Sequence, residues 1–272
     1  MSIATQDFNF VREMVRQQSA IVLEPGKEYL VESRLQSLAR TEGFSSLEQF
    51  LAELRVRPAL LQKKVVEAMT TNETSFFCDL HPFDALKTGI VPELAQRNAA
   101  ARRIDIWCAA CSSGQEPYTV AMTLMESLPQ PESWTIRIVA TDLSSEMLER
   151  TRQGRYSQLE VNRGLPAPLL VKYFQKQGTE WQVHERLRKF VDVRPLNLIE
   201  PWAAMPTFDI VFLRNVLIYF DVPTKRTILG RVRKVMRPDG FLFLGGAETT
   251  INVDDAWTRT PFGRGVCYKP QR

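Results

Sequence analysis

Histidine, cysteine and glycine are scarce in this chain of 272 residues, and each scarcity closes off a kind of chemistry. The two histidines, His81 and His184, are far apart and unclustered. A zinc ion needs four close ligands, so the pair Cys108 and Cys111 lacks partners and no metal site is expected. A catalytic dithiol needs a helix N-terminus directly after its first cysteine. Here Ser112, Ser113 and Gly114 intervene before the helix start expected at Pro117. The two cysteines therefore read as small strand and loop residues. Four cysteines in all suit a reducing compartment, not a disulfide framework. A glycine-rich G-x-G-x-x-G loop is also missing, which disfavours a pyrophosphate-binding dinucleotide fold.

Long apolar runs are lacking too. The most apolar stretch, residues 211–220, is broken by Arg214 and Asn215, so no membrane insertion is expected. Asp7, Arg12, Glu13 and Arg16 interrupt the region where a secretory signal would have its apolar core. A formal charge of +4 is too weak a bias to imply nucleic acid. What remains, 44% hydrophobic and 24% charged residues, is the composition of a folded, cytoplasmic protein. Nothing indicates oligomerisation, and a monomer is expected.

Two rhythms divide the chain. Residues 1–75 carry helical stripes: Phe8, Val11 and Val15; Val31, Leu35 and Leu38; Leu47, Phe50, Leu51 and Leu54; Leu61, Val65 and Ala68. Ser45 with Glu48 forms a capping-box pattern for the third, and Pro58 suits the first turn of the fourth. Residues 76–272 form the second domain, where from about Arg103 short apolar runs alternate with helical patterns, beginning RIDIWC and ending FLFLGG. That alternation predicts a parallel α/β sheet with crossover helices. Residues 155–190, with Gly164, Pro166, Pro168 and Gly178, read as an inserted small antiparallel ribbon before a return to the main sheet.

The loop after the first strand, Ala109 to Gly114, is a run of small residues. In an open α/β sheet that is where a ligand approaches the backbone. The second strand ends in Asp142, which either accepts both hydroxyls of a ribose or caps the helix expected at Ser144. A nucleoside cofactor without a pyrophosphate loop is implied, and S-adenosylmethionine fits. The helix expected from Thr224 to Arg237 carries Lys225, Arg226, Arg231, Arg233, Lys234 and Arg237 without an acid. It has no interleaved aromatics for base stacking and reads as a solvated face.

With these residues in view, the chain resembles the chemotaxis receptor methyltransferases (the CheR family). The likeness rests on TTNETSFF at Thr70 to Phe77, AACSSGQEPYTVAM at Ala109 to Met122, and ATDLSSEML at Ala140 to Leu148. PLNL at Pro195 to Leu198 and FLRNVLIYF at Phe212 to Phe220 complete the ordered set. The resemblance implies a Rossmann-like S-adenosylmethionine methyltransferase sheet with an N-terminal all-helical domain. It implies methylation of glutamate side chains on the cytoplasmic helical bundle of chemoreceptors, with S-adenosyl-L-homocysteine as the product. By position, it places Asn72, Thr74 and Gly114 beside the methionine end of the cofactor and Glu116 on its amino group. Asp142 falls on the ribose and Asn197 with Leu198 at the adenine. Arg214 and Asn215 fall in the motif after a later strand, and Tyr219 near the transferred methyl or in plain core packing. Arg34 and Arg40 are expected on a receptor-docking face, and the short Gln177 to Glu180 loop suggests independence from a receptor tail peptide. One position departs: Cys78 stands where the family has arginine, which implies weak transfer, or a silent cofactor-binding protein, unless Arg214 compensates.

Overall fold

The N-terminal part folds as α1 (Thr5–Ser19), α2 (Glu28–Thr41), α3 (Leu47–Val56) and α4 (Pro58–Met69) of a computed structural model that describes residues 3–263 and 265–271. Phe8, Val11 and Val15 from α1, Val31 and Leu35 from α2, Phe50 and Leu54 from α3, and Leu61 and Val65 from α4 are buried, as their spacing requires. Leu38 and Ala68 are only half-buried; Ala39 and Met69 take the inward positions. Pro58 opens α4, whereas the cap of α3 is Ser46, one residue later than expected. The Ser46 hydroxyl accepts the Gln49 N–H, while Ser45 donates to the Gln49 side chain.

Arg34 does not belong to an open docking face. Its guanidinium donates to the carbonyls of Met69 at 2.8 Å and Thr70 at 2.9 Å, satisfying the last turn of α4. Residues Met1–Thr71 with Tyr219–Thr224 form one unit, and Asn72–Ile218 with Lys225–Arg272 form another.

The second unit begins with α5 (His81–Ala85), a π-helical turn (Leu86–Ile90) and α6 (Val91–Arg97). Then come β1 (Arg103–Ala109), α7 (Gln115–Ser127), β2 (Thr135–Asp142) and α8 (Ser145–Gln153). The insertion holds β3 (Arg155–Ser157), α9 (Gln158–Asn162), α10 (Ala167–Tyr173), β4 (Phe174–Gln177), β5 (Glu180–Val183) and α11 (Glu185–Arg188). The chain closes with β6 (Val191–Pro195), β7 (Phe208–Leu213), α12 (Val222–Val235), β8 (Met236–Leu244), β9 (Trp257–Phe262) and β10 (Gly265–Pro270).

Among the described residues the main sheet has seven strands in the order β6-β2-β1-β7-β8-β10-β9. The first five run parallel and β10 and β9 close the edge antiparallel. Every residue of β7 is buried, as in a strand covered on both faces. β3, β5 and β4 form a separate antiparallel sheet, and β6 then returns to the main one beside β2. The stretch after β5 is not a continuous strand, because α11 interrupts it before β6. The β9–β10 hairpin had no counterpart in the sequence pattern.

Asp209 ties together the sheet edge opposite the strand carboxyl ends. It sits in β7 where the pairing with β8 shifts register, and it is fully buried. One carboxylate oxygen meets Arg97 at 2.7 Å and Arg237 at 3.0 Å, and the other accepts the Asp105 N–H at 2.9 Å. Removing one partner of a buried charge pair strands the rest. Asp209→Ala is therefore expected to lower stability by about 3–5 kcal/mol, read as a lower urea midpoint at unchanged slope.

Candidate active site

The carboxyl ends of β6, β2, β1, β7 and β8 lie along one edge of the sheet. The chain runs outward from β1 through β2 to β6, then returns to β7 on the other side of β1. Ligands of open α/β sheets bind at such a reversal.

The loop after β1 has an unusual backbone, with φ of 58° at Ala110, 49° at Ser112 and 94° at Gly114. Left-handed conformations are uncommon outside glycine, so contacts must enforce them. The Cys111 N–H donates to the Thr141 carbonyl at 2.9 Å. The Tyr156 hydroxyl donates to the Ser113 carbonyl at 2.7 Å, and Thr151 donates to the Ser112 carbonyl at 3.0 Å. Ser112 itself donates to the Asn72 carbonyl at 2.7 Å, joining the Asn72–Thr74 segment to this loop. Gly114 has no room for a side chain: a Cβ would stand 2.9 Å from Thr151 and from the Tyr156 hydroxyl.

Asp142 holds the same loop from β2. Its carboxylate accepts the Ser112 N–H at 2.8 Å and the Ser144 N–H at 2.9 Å. The cap of α8 is Ser144, whose hydroxyl accepts the Met147 N–H. Of the two roles open to Asp142 in the sequence, capping is thus filled by another residue. Beyond β6, Leu198 is buried, while Asn197 accepts the Ile199 N–H at 3.3 Å and donates to Glu200 at 3.0 Å. Arg231 of α12 reaches the carbonyls of Ile199 at 2.9 Å and Glu200 at 2.8 Å and pins this loop.

The strongest electrostatic feature joins α7 to the end of β7. Glu116 stands in the first turn of α7 and meets Arg214 at 2.8 Å. The same guanidinium donates to the Cys78 carbonyl at 2.8 Å and to the Asp79 carboxylate at 3.0 Å. Its Nε is buried and has no hydrogen-bond partner among the described residues. Burial pushes the Glu116 carboxyl above its ordinary value, and Arg214 works against that shift. Burial is the largest single influence on Arg214 and acts against its charge, but its neighbours together, Glu116 foremost, outweigh it and the guanidinium pKa is raised. Asn215 follows with φ of 58°, a conformation that asparagine tolerates.

Asn72, Gly114, Glu116, Asp142, Arg214 and Asn215 thus lie on or are bonded to the loops at one sheet edge, with Asn197 and Leu198 beyond β6. Thr74 is half-buried in the segment that Asn72 begins. Tyr219 ends the 3₁₀ turn Leu217–Tyr219 and groups with the helical unit, where its carbonyl accepts the Val22 N–H at 3.0 Å. Cys108 and Cys111 are free thiols whose burial pushes them well up, so neither is a thiolate at neutral pH. Among the described residues, no cluster of three His, Cys, Asp or Glu is placed to hold a metal. Sequence reasoning missed Asp79, Arg231 and Glu248. The signal for Glu248 lay in the Gly-Gly-Ala-Glu that follows the last parallel strand.

The Glu116–Arg214 pair thus stands at the reversal point of an open α/β sheet, where such folds bind their ligands. Residues 72–264 match the CheR methyltransferase SAM-binding domain and residues 6–70 the CheR methyltransferase all-alpha domain, and the chain belongs to this family. It is 41% identical over 274 residues to "Chemotaxis protein methyltransferase 1" of Pseudomonas aeruginosa, covering 99% of each chain. It is 39% identical to "Chemotaxis protein methyltransferase Cher2" of Pseudomonas putida, again over 99% of each. A chemotaxis protein methyltransferase of Vibrio parahaemolyticus is 37% identical, over 99% of this chain and 98% of the relative. The chain is thus a chemotaxis-type methyltransferase that uses S-adenosylmethionine. The site's chemistry fits that cofactor: its amino-acid end carries both charges, and the edge offers a mostly covered carboxylate beside a buried guanidinium whose Nε has no partner among the described residues.

The expectation of a silent cofactor-binding protein finds no support. A buried guanidinium already stands at the Cys78 carbonyl, so positive charge at this corner does not depend on the side chain at 78. Cys78→Arg is therefore expected to change kcat by less than about tenfold. One more donor adds much only where none serves the same acceptor. Single-turnover methylation by parent and variant checks this, and a larger gain would show that Arg214 does not suffice.

Proposed function

We propose that this methyltransferase acts in the cytoplasm, as a monomer, on glutamate side chains of the helical bundles of chemoreceptors, giving γ-glutamyl methyl esters. The relatives are known as chemotaxis protein methyltransferases, which supports the substrate class. The Glu116–Arg214 pair, with the guanidinium buried and the carboxylate 13% exposed, is the observation that carries the reading, because it matches the zwitterionic end of the cofactor.

Each residue then has a task. Glu116 accepts from the cofactor's ammonium group, and the Arg214 Nε donates to its carboxylate. Asn72, Thr74 and Gly114 shape the loop at the same end. Asp142 accepts from the ribose hydroxyls, since a carboxylate oxygen can accept more than one hydrogen bond. Asn197 and Leu198 border the adenine, and Asn215 completes the turn beside Arg214. The exposed Arg40 remains for an acidic receptor helix, Arg34 being engaged at the end of α4. The tight Gly178-Thr179 connection between β4 and β5 supports independence from a receptor tail peptide.

Bound S-adenosylmethionine supplies a methyl carbon made electrophilic by its sulfonium. A glutamate with a pKa of about 4.3 is already a carboxylate at neutral pH, so no base is needed. With the cofactor held by Glu116, Arg214 and Asp142, transfer would exchange its carbon–sulfur bond for a carbon–oxygen bond, the electrons going to sulfur, and would require no proton to move. The protein's contribution is alignment, which in favourable cases is worth roughly 7–11 kcal/mol.

Incubation with labelled S-adenosylmethionine and receptor-containing membranes is expected to give base-labile label on the receptor. Label on RNA, or cofactor bound but never transferred, would overturn the reading. Two binding experiments test the residues. Asp142→Ala is expected to weaken S-adenosylhomocysteine at least about tenfold by calorimetry, since hydrogen bonds to a charged group contribute roughly 1.5–3 kcal/mol. Glu116 accepts from ammonium only when ionised, and burial raises its pKa. Cofactor affinity is therefore complete above the folded pKa of Glu116 and falls as pH drops through it, beginning above the ordinary glutamate range. Glu116→Gln is expected to flatten that profile; a profile unchanged by the substitution would remove Glu116 from this role.

A further inference from the structure

The turn that carries Arg214 and Asn215 has no regular structure to support it. It runs from the end of β7 to the 3₁₀ turn Leu217–Tyr219, and Asn215 is in the left-handed region. Backbone N–H groups in such a turn need acceptors. Glu248, in the loop after β8, supplies them. One of its carboxylate oxygens accepts the Asn215 N–H at 2.8 Å and the Gly245 N–H at 2.7 Å. The other accepts the Val216 N–H at 2.9 Å and the Ile218 N–H at 3.2 Å. One side chain thus fixes three N–H groups of the turn and ties them to the end of β8.

A second observation points to the same place. Gly245 approaches the turn so closely that a Cβ there would stand 2.1 Å from the Asn215 side-chain oxygen and 2.8 Å from the Asn215 backbone nitrogen. The Gly245–Glu248 loop is therefore shaped around Asn215, by a bare backbone on one side and a carboxylate on the other. An amide in place of the carboxylate would turn its NH₂ group toward two backbone donors. Full ionised acceptor capacity at both oxygens is what the turn uses.

We propose that Glu248 is a positioning residue for methyl transfer: it sets the Arg214–Ile218 turn and acts on cofactor binding through Asn215. The proposal rests on the reading that Arg214 and Asn215 face the cofactor. Arg214 has independent anchors at Glu116 and Asp79, whereas the backbone of Asn215 is held by Glu248. The expected loss therefore falls on the part of binding that Asn215 supplies.

The test uses the full chain and calorimetry with S-adenosylhomocysteine, together with kcat and KM for S-adenosylmethionine. Glu248→Gln is expected to raise the dissociation constant and the cofactor KM at least about tenfold, the scale of a lost charge-assisted contact, while the receptor KM stays as in the parent. Glu248→Asp keeps the charge and is expected to recover part of the affinity. Gly245→Ala disturbs Asn215 with Glu248 intact and is expected to reproduce the defect, so the proposal remains testable if Glu248→Gln fails to fold. Combining Glu248→Gln with Asn215→Ala is expected to cost no more than the larger single effect, because coupled residues are not additive. A folded Glu248→Gln or Gly245→Ala protein with parental affinity overturns the proposal, as does full additivity in the double variant. Parental affinity in Asn215→Ala would instead locate the failure in the cofactor reading of the turn.

Discussion

Burying a carboxylate and a guanidinium together is costly unless each finds the other at close range, and much of this site follows from meeting that condition. Glu116 comes from the first turn of α7, Arg214 from the end of β7, and the Cys78 carbonyl and Asp79 from the segment before α5. These pieces are remote in sequence. They meet because β1, which leads into α7, lies directly beside β7 in the sheet. Shifting either strand would leave a buried charge without its partner, so the ion pair and the β1–β7 register constrain one another.

A division of labour surrounds that pair. Each loop on the carboxyl edge is fastened by a charged side chain that bonds to its backbone. Asp142 takes the Ser112 N–H after β1, Arg231 takes the carbonyls after Leu198, and Glu248 takes the N–H groups after β7. All three of these fasteners come from elements later in the chain than the loops they hold. Such charge-to-backbone bonds fix loop shape without relying on apolar packing, which a wet cleft cannot provide. The opposite edge uses the same device, with Asp209 and Asp105 gathering Arg97, Arg237, Arg103 and Arg137.

The alternation of strands and helices was legible because buried parallel strands are short continuous apolar runs, as in FDIVFL. The site loops were legible for a related reason: small or acidic residues directly after such a run have few structural uses. Other features were hidden because their cause is tertiary. Arg34 looked like a surface cation until the end of α4 arrived beside it. Arg231 looked like one charge among six on a basic helix, yet it holds a loop over thirty positions earlier in the chain. The helices before β1 and the β9–β10 hairpin carry mixed polar and apolar residues, so neither period stands out. Ser46 rather than Ser45 caps α3, an error of one residue that only backbone geometry resolves.

The shortage of histidine has a physical counterpart in this site. Enzymes that must generate a nucleophile keep a base poised near neutral pH. In the proposed reaction the acceptor arrives ionised, so a poised base would add nothing. His184 serves instead as the N-cap position of α11, and His81 opens α5. Cys108 and Cys111 are held neutral by burial. The charged groups of the edge are engaged by fixed partners: Glu116 by Arg214, Asp142 and Glu248 by backbone N–H groups. Dipoles and charges locked in this way need no reorganisation when a cation and an anion are brought together, and that is the form of catalysis a methyl transfer between ions can use.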